Sequence, residues 1–492
     1  MMTAEANVKI TKHTIRLAHT CMRMGWESAR RQEHHNIAAL GIFRQGNLVE
    51  REAMSLFPGK RIGSTGVLAV QATSNALLTS ESLLQQPAFE IAGIVIRPDV
   101  LETGSVHVLD VKSGKSVKDK YVLDIAISVA AAEVSGLSVE QASICHINPA
   151  YRGGGEEPAF VVKNVTSQVN SLLASFDVEH TIHTLQSIKE PNPVMTKACK
   201  GCEFVEGCFG TSSGLVVSIP RISKKALDQL VAASVFTIDE LLQRPDLHHL
   251  LTPTQYSHLE AHRFAGDDQA ATTVNMTVLQ ACTWLQAPLH LHLDFEAVTL
   301  ALPTRVGDAP WAQSLTQFSV TTDDGETYAE VGFLSDGSDD REQLAEALIE
   351  ALPGTAPIVV YNESYERSRI QELAALYPRL NAPLQAILER VVDLRPLAND
   401  AIMGLAGGSL KMVSPWAEPE FGYDDLIISN GNLANGAMQL LMLEGGESIL
   451  KSSTGLSPKE VRAQLLAYCA RDTMATAVVV RRFKKLLANQ TM

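Results

Sequence analysis

Leu291-His292-Leu293-Asp294-Phe295-Glu296 is the stretch on which the reading of this chain turns. Along a strand, side chains point to opposite faces in turn. Asp294 and Glu296 therefore leave one face with α-carbons ~6.5–7 Å apart, while Leu293 and Phe295 enter the core. That spacing suits two carboxylates sharing a cation, but hydrolysis with two cations ~3.5–4 Å apart needs further converging acids. Val359-Val360-Tyr361-Asn362-Glu363-Ser364-Tyr365-Glu366 supplies one: an apolar strand ends at Asn362, and Glu366 follows one helical turn on. Tyr468-Cys469-Ala470-Arg471-Asp472 supplies another, because this spacing on a helix puts Tyr468 and Asp472 on one side, where the hydroxyl can hold an attacking water. Each pair alone usually reads as solvated surface charge. In this order they predict phosphodiester hydrolysis at one metal-binding site. Asp393, after Val391-Val392, reads as a strand-end or helix-cap residue in preference to a supporting acid.

The succession of acid-x-acid on a first strand, Asn-x-x-x-acid in the middle and Tyr-x-x-x-Asp on a late helix resembles the DnaQ-like exonucleases of the tyrosine subclass, on an RNase H-like fold, over about residues 285–490. The resemblance implies 3′-to-5′ exonuclease activity with Mg²⁺ or Mn²⁺. Asp294, Glu296, Glu366 and Asp472 would be the metal ligands, and Tyr468 would orient the water. The chain departs from the pattern at Glu366, where such enzymes normally carry aspartate.

Earlier in the chain, Arg97-Pro98-Asp99 ends one expected strand and Leu109-Asp110-Val111-Lys112 lies on the next. Alone, the Asp-x-Lys pair reads by default as a solvated strand pair. Its resemblance to the order of restriction-type and RecB-like nucleases implies that Asp99 and Asp110 would bind a metal with the Val111 carbonyl, and that Lys112, on the same strand face as Asp110, would steady phosphate charge or position water. Cys199, Cys202 and Cys208 put three thiols within ten residues, and Cys21 precedes the whole segment. Such spacing marks a metal ligand set, and four thiolates accept either an iron-sulfur cluster or zinc. The Pro-Asp, Asp-x-Lys order resembles restriction-type and RecB-like PD-(D/E)xK nucleases. One early and three late cysteines resemble the iron-sulfur staple of AddB-like and CRISPR-associated RecB-like nucleases, which implies a [4Fe-4S] cluster, with zinc as the alternative. The match covers about residues 10–210. It lacks the glutamine and tyrosine that such nucleases place after the lysine, since Tyr121-Val122-Leu123-Asp124-Ile125-Ala126-Ile127-Ser128 follows instead. Glu50 stands where relatives often carry histidine, either substituting for it or facing solvent.

Length and composition fit a multi-domain globular chain: 492 residues, 46% apolar and 20% charged. We expect an α/β protein with a RecB-like domain at 1–212, a small helical connector at 213–275 and a DnaQ-like domain at 276–492. Strands are expected at 89–95, 105–111, 142–147, 289–295, 317–321, 328–334 and 358–361. Helices are expected at 14–31, 45–56, 120–135, 224–233, 238–242, 253–263, 340–352, 365–376 and 458–487. The net charge of −14 opposes general attraction to a polyanion, although Lys9, Lys12, Arg16, Arg23, Arg30 and Arg31 form a basic edge or a solvated helix face. No apolar run is long enough for a membrane span, no signal peptide is recognisable, and the cysteines fit a reducing compartment, so a cytoplasmic location is expected.

Cys145, Cys282 and Cys469 read as buried apolar residues or inert thiols, His34 and His35 as surface residues, and Gly407-Gly408 as a turn. As a whole the layout resembles a bacterial family of uncharacterised proteins joining an iron-sulfur RecB-like nuclease to a DnaQ-like exonuclease. Its local signatures include Gly408-Ser409-Leu410-Lys411 and Tyr423-Asp424-Asp425-Leu426. The resemblance implies a DNA partner, DNA more than RNA, in processing, repair or defence against foreign DNA. The alternatives are a nucleic-acid end-binding adaptor with a degenerate first domain and an RNA-directed exonuclease.

Overall fold

The computed structural model describes residues 8–31, 35–79, 81–210, 214–256, 259, 274–402 and 408–489. The chain is mixed α/β and divides into two compact units. One comprises 1–34, 49–148 and 160–270, and the other 35–48, 149–159 and 271–492. The units do not follow the linear order of the chain. The helix Ile37–Met54 contributes its first residues to the second unit and its last to the first. No helix among the described residues is long and apolar enough to cross a membrane.

In the first unit a six-stranded sheet runs in the order 60–61, 83–85, 100–102, 107–112, 141–147, 160–164. The central strands His107–Lys112 and Gln141–Ile147 are parallel and joined by the helix Asp119–Val134. Ten residues of that helix are buried, in keeping with a helix that covers a sheet face. Its apolar side packs with Val108, Ala142 and Ile144. Two expectations are corrected here. The helix expected over 14–31 is two helices, Lys12–Thr20 and Met22–Arg30, because Cys21 takes an extended conformation (φ −156°, ψ 116°) between them. The strand expected over 89–95 is a hairpin, Phe89–Ile91 against Ile94–Ile96. Ala92 (φ 49°) and Gly93 (φ 77°) turn the chain in the left-handed region that a two-residue hairpin loop requires.

The segment after the cysteines forms its own small core, in which Leu215, Val217, Leu227, Leu230, Ile238 and Leu241 are buried. The helices Lys224–Ala232 and Ile238–Leu242 lie where expected. The helix expected over 253–263 falls mostly outside the described residues.

The second unit is built on a five-stranded sheet in the order 328–334, 313–323, 290–299, 358–360, 391–393. The first three strands pair antiparallel among themselves, and the last two run parallel to the central strand His290–Thr299. Alternation along that strand does what the sequence predicts. Leu291, Leu293 and Phe295 join the core formed with Leu344, Leu348, Ile370 and Leu373 from helices on one face, each such burial contributing roughly 1.5–3 kcal/mol. The other face, carrying His290, His292, Asp294 and Glu296, meets the 31-residue helix Pro458–Ala488. A capping box at Ser457 and Glu460 and Pro458 in the first turn start that helix.

Candidate metal centre

Asp294 and Glu296 leave the central strand on the side of the long helix, and Asp472 comes from that helix to meet them. One carboxylate oxygen from each of the three lies within 4.8 Å of the others. Tyr468, one turn before Asp472, donates its hydroxyl to the Asp472 carboxylate. Tyr423 donates to Asp472 Oδ1 from the opposite side at 2.6 Å. The Cys469 thiol reaches Asp294 Oδ2 at 3.4 Å and the Asp294 carbonyl at 3.6 Å. Cys469 is buried, as read from the sequence, but it also donates to a candidate metal ligand.

Glu366 sits near the start of the helix Glu363–Leu376, whose geometry is set one residue earlier. Asn362 is in the left-handed region (φ 86°), a strained conformation for a residue with a side chain. Asp393 holds it there: its carboxylate accepts from the backbone N–H of Asn362 (2.9 Å) and Glu363 (3.1 Å) and caps the next helix through Arg395 N–H (2.9 Å). The helix-cap reading of Asp393 is correct. Glu366 itself is 3% exposed, and its Oε2 has no hydrogen-bond partner. Its carboxylate stands outside the group of three, yet close enough to raise the pKa of Asp294.

The electrostatics of this centre are those of carboxylates without counterions. Among the described residues none of Asp294, Glu296, Glu366 and Asp472 forms an ion pair. Burial, then the neighbouring Asp472, Glu296 and Glu366, holds the Asp294 carboxyl well above the usual range. Burial and Asp472 raise Glu296, against the pull of Lys411. Burial raises Glu366 to about 8. Asp472 is raised by burial and partly restored by the two tyrosine hydroxyls and Lys411. The phenols of Tyr423 and Tyr468 are pushed far up by burial and by Asp472, so both are neutral donors. An all-oxygen set of carboxylates without ion pairs among the described residues, with a buried orphan oxygen beside it, fits a hard divalent cation such as Mg²⁺ or Mn²⁺.

Sequence reasoning quoted Lys411 and Tyr423 but assigned them no role. The Lys411 ammonium lies 4.6 Å from the Tyr423 ring centre and 5.3 Å from that of Tyr468, and it donates to the Ser429 carbonyl. Tyr365, which responds electrostatically to Glu296 and Asp294, was also missed. Its place one residue before Glu366 was the available signal.

In the other unit, Asp99, Asp110 and Lys112 also come together, in a different electrostatic setting. Lys112 Nζ and Lys12 Nζ each approach Asp110 Oδ2 at 3.2 Å. Lys112 also pairs with Asp124 at 3.1 Å, and Arg16 with Asp124 at 3.1 Å. Asp99 accepts from Val111 N–H at 2.6 Å and from the Gln86 amide at 2.9 Å, and that amide also reaches Glu50 at 2.7 Å. Glu50 therefore faces the site through Gln86, the partner that the sequence did not reveal. Asp110 is buried, yet Lys112 and Lys12 hold its carboxyl below the usual range. Burial and Asp110 push Asp99 above it.

Cys21, Cys199, Cys202 and Cys208, separated by up to 187 positions, share one neighbourhood. Burial raises the Cys199 thiol, and Cys21 and Cys202 raise it further; Cys208 is raised by burial, lowered by Arg23 and raised by the other three thiols. Among the described residues no three of these sulfurs lie within 4.8 Å of one another. All seven cysteines are free. His34 and Gly407 lie outside the described residues; His35 meets the Phe43 ring edge-on, and the Gly408 carbonyl accepts from Tyr361 Oη at 2.8 Å.

A family model described as a domain of unknown function (DUF2779) matches residues 291–410, from the second residue of the central strand to the residue before Lys411. An uncharacterized protein of Mycoplasma pneumoniae is 26% identical over 226 residues, which is 41% of this chain and 33% of the relative, so the matched region spans about a third of that protein. The crystal structure of SSO0001 aligns over 41% of this chain and 97% of its own at 13% identity, with a TM-score of 0.16. At that score the likeness carries no argument about the fold.

Proposed function

We propose that the second unit is a metal-dependent phosphodiesterase, a 3′-to-5′ DNA exonuclease of RNase H-like, DnaQ-type architecture. The observation that carries this reading is the meeting of Asp294, Glu296 and Asp472 from a strand and a distant helix, none of them in an ion pair among the described residues. The central position of the acid-bearing strand, flanked by antiparallel strands on one side and parallel strands on the other, is in keeping with it. Asp294, Glu296 and Asp472 would hold Mg²⁺ or Mn²⁺, with Glu366 beside them. When bound, the ion supplies Lewis-acid activation of water and of the phosphoryl group. Tyr468, whose proton is committed to Asp472, keeps oxygen lone pairs with which to accept from the attacking water and orient it. The raised carboxyls would lose their protons to solvent on binding an ion, so activity should rise from mildly acidic to mildly alkaline pH.

The first unit is proposed as a RecB-like PD-(D/E)xK domain with its cysteines as a metal staple. A mononuclear zinc site with ~2.3 Å bonds needs sulfurs roughly 3.8 Å apart. The four cysteines would hold a [4Fe-4S] cluster, with zinc as the alternative. The second ion pair on Asp110, from Lys12, favours the reading in which this domain grips DNA without cutting it. Seven free thiols are in keeping with a reducing, cytoplasmic setting, and work on DNA in processing, repair or defence is the corresponding biological role.

Anaerobically purified protein, assayed with Mn²⁺ on 3′- and 5′-labelled DNA and RNA strands, tests the reading. Progressive loss from DNA 3′ ends that vanishes in Asp294→Ala, with DNA binding intact, is expected. Full digestion by Asp294→Ala, or protection of ends without any shortening, would overturn it. Faster digestion of RNA would reassign the substrate.

A further inference from the structure

A lysine next to a group of acids normally neutralises one of them, and Lys411 does not. Among the described residues it makes no ion pair. Its ammonium is held by the faces of Tyr423 and Tyr468 and by one carbonyl, that of Ser429. Aromatic faces and a carbonyl attract an ammonium without cancelling its charge, and an ammonium has three donors, of which the carbonyl takes one. The two tyrosines that hold it also donate to Asp472, so Lys411 is anchored to the frame that positions a candidate metal ligand. Its charge is felt at Glu296 and at Asp472. It is half-buried, on the first turn of the helix Leu410–Ala417.

The carboxylates point the same way. Three converge tightly, whereas Glu366, the acid a second cation would need, stands apart from them. We infer that Lys411 contacts a non-bridging oxygen of the scissile phosphate, and that this fixed ammonium, with one divalent ion on Asp294, Glu296 and Asp472, replaces the second metal ion of a two-ion centre. The inference rests on the phosphodiesterase reading above and departs from the two-ion arrangement that the family resemblance implies. A phosphate group bound there would meet positive charge from two sides, one exchangeable and one covalently part of the chain, which is the electrostatic arrangement that stabilises charge on a phosphoryl group.

The test combines Mn²⁺ calorimetry with digestion of 3′-labelled DNA, using the full chain as wild type, Asp294→Ala, Lys411→Met and Lys411→Arg. Wild type should bind one Mn²⁺ more than Asp294→Ala. Lys411→Met should bind that ion about fivefold more tightly, because a neighbouring positive charge is gone, yet digest about 10²-fold more slowly. Lys411→Arg should digest within about tenfold of wild type, since the charge is kept. Opposite movement of metal affinity and turnover is the signature that a merely structural lysine would not produce. Unchanged turnover in Lys411→Met, or weaker metal binding together with slower turnover, overturns the inference. So do two ions lost in Asp294→Ala, which would leave the phosphodiesterase reading intact. No Mn²⁺ at the centre in wild type defeats that reading and the inference with it. If Lys411→Met does not fold, the ion count and the Lys411→Arg turnover decide.

Discussion

In the first unit Asp110 is met by Lys12 and Lys112, both at 3.2 Å, and its carboxyl is held below the usual range. In the second, Asp294, Glu296 and Asp472 face one another with no ion pair among the described residues, and every carboxyl is held above it. Both centres bring buried or half-buried acids together, so acidity alone does not distinguish them. What differs is where the compensating charge resides. In the first unit it belongs to the protein, and a buried carboxylate with its own ammonium partners gains little from an added cation. In the second Lys411 is turned to aromatic faces, so fuller compensation would come from an ion, from protons or from both. A metal centre is recognised less by its ligands than by the absence of anything else to neutralise them.

The largest expected effect breaks the comparison outright. Asp294→Ala should reduce terminal digestion by about 10³-fold or more, while Asp110→Ala should leave it within about threefold, read from end-label kinetics. Equal losses would mean that the two centres act as one. Next, Lys12→Gln should convert the first centre toward the second. With one ammonium removed from Asp110, Mn²⁺ binding there should tighten by about tenfold, while the protein loses about 1–3 kcal/mol, measured by calorimetry and denaturant unfolding.

Third, the uncompensated acids make the second unit pH-sensitive. Glu366 has a folded pKa raised to about 8 from the ordinary 4.5, with Asp294 and Glu296 raised as well. Groups raised on folding contribute stability that is present below pH ~4 and lost as pH climbs through their folded values. In EDTA, Tm should therefore fall by about 5 °C or more between pH 5 and pH 8. Mn²⁺ should flatten that slope, so the stabilisation by metal grows with pH. A stabilisation that shrank with rising pH would contradict the picture. The smallest effect sharpens it: Cys469→Ala removes one weak donor to Asp294 and a small buried side chain, for a cost of about 1 kcal/mol and a change in Mn²⁺ affinity of about threefold or less.

Much of the second unit was readable in the sequence because its signals are local. Strand alternation from Leu291 to Glu296 separates core from site without reference to any other part of the chain, and the spacing of Tyr468 and Asp472 needs only helical geometry. The helix break at Cys21 and the hairpin at Ala92-Gly93 were not readable, because the apolar pattern runs through both and the backbone turns within it. The role of Lys12 was hidden for a different reason: it lies 98 positions from Asp110, and its basic neighbours resemble a solvated helix face. Lys411 and Tyr423 stood within quoted motifs, but nothing in a motif says whether a lysine ends on a carboxylate or on an aromatic ring.

The amino-acid sequence by itself determined the elements, the faces they bury and which side chains could serve as ligands, since those follow from periodicity and from the chemistry of single residues. Tertiary structure alone decided which of these acids share space, which possess a counterion and where the cysteines gather. Charge compensation is a sum over neighbours brought from a hundred or more positions away, and no local window of sequence contains that sum.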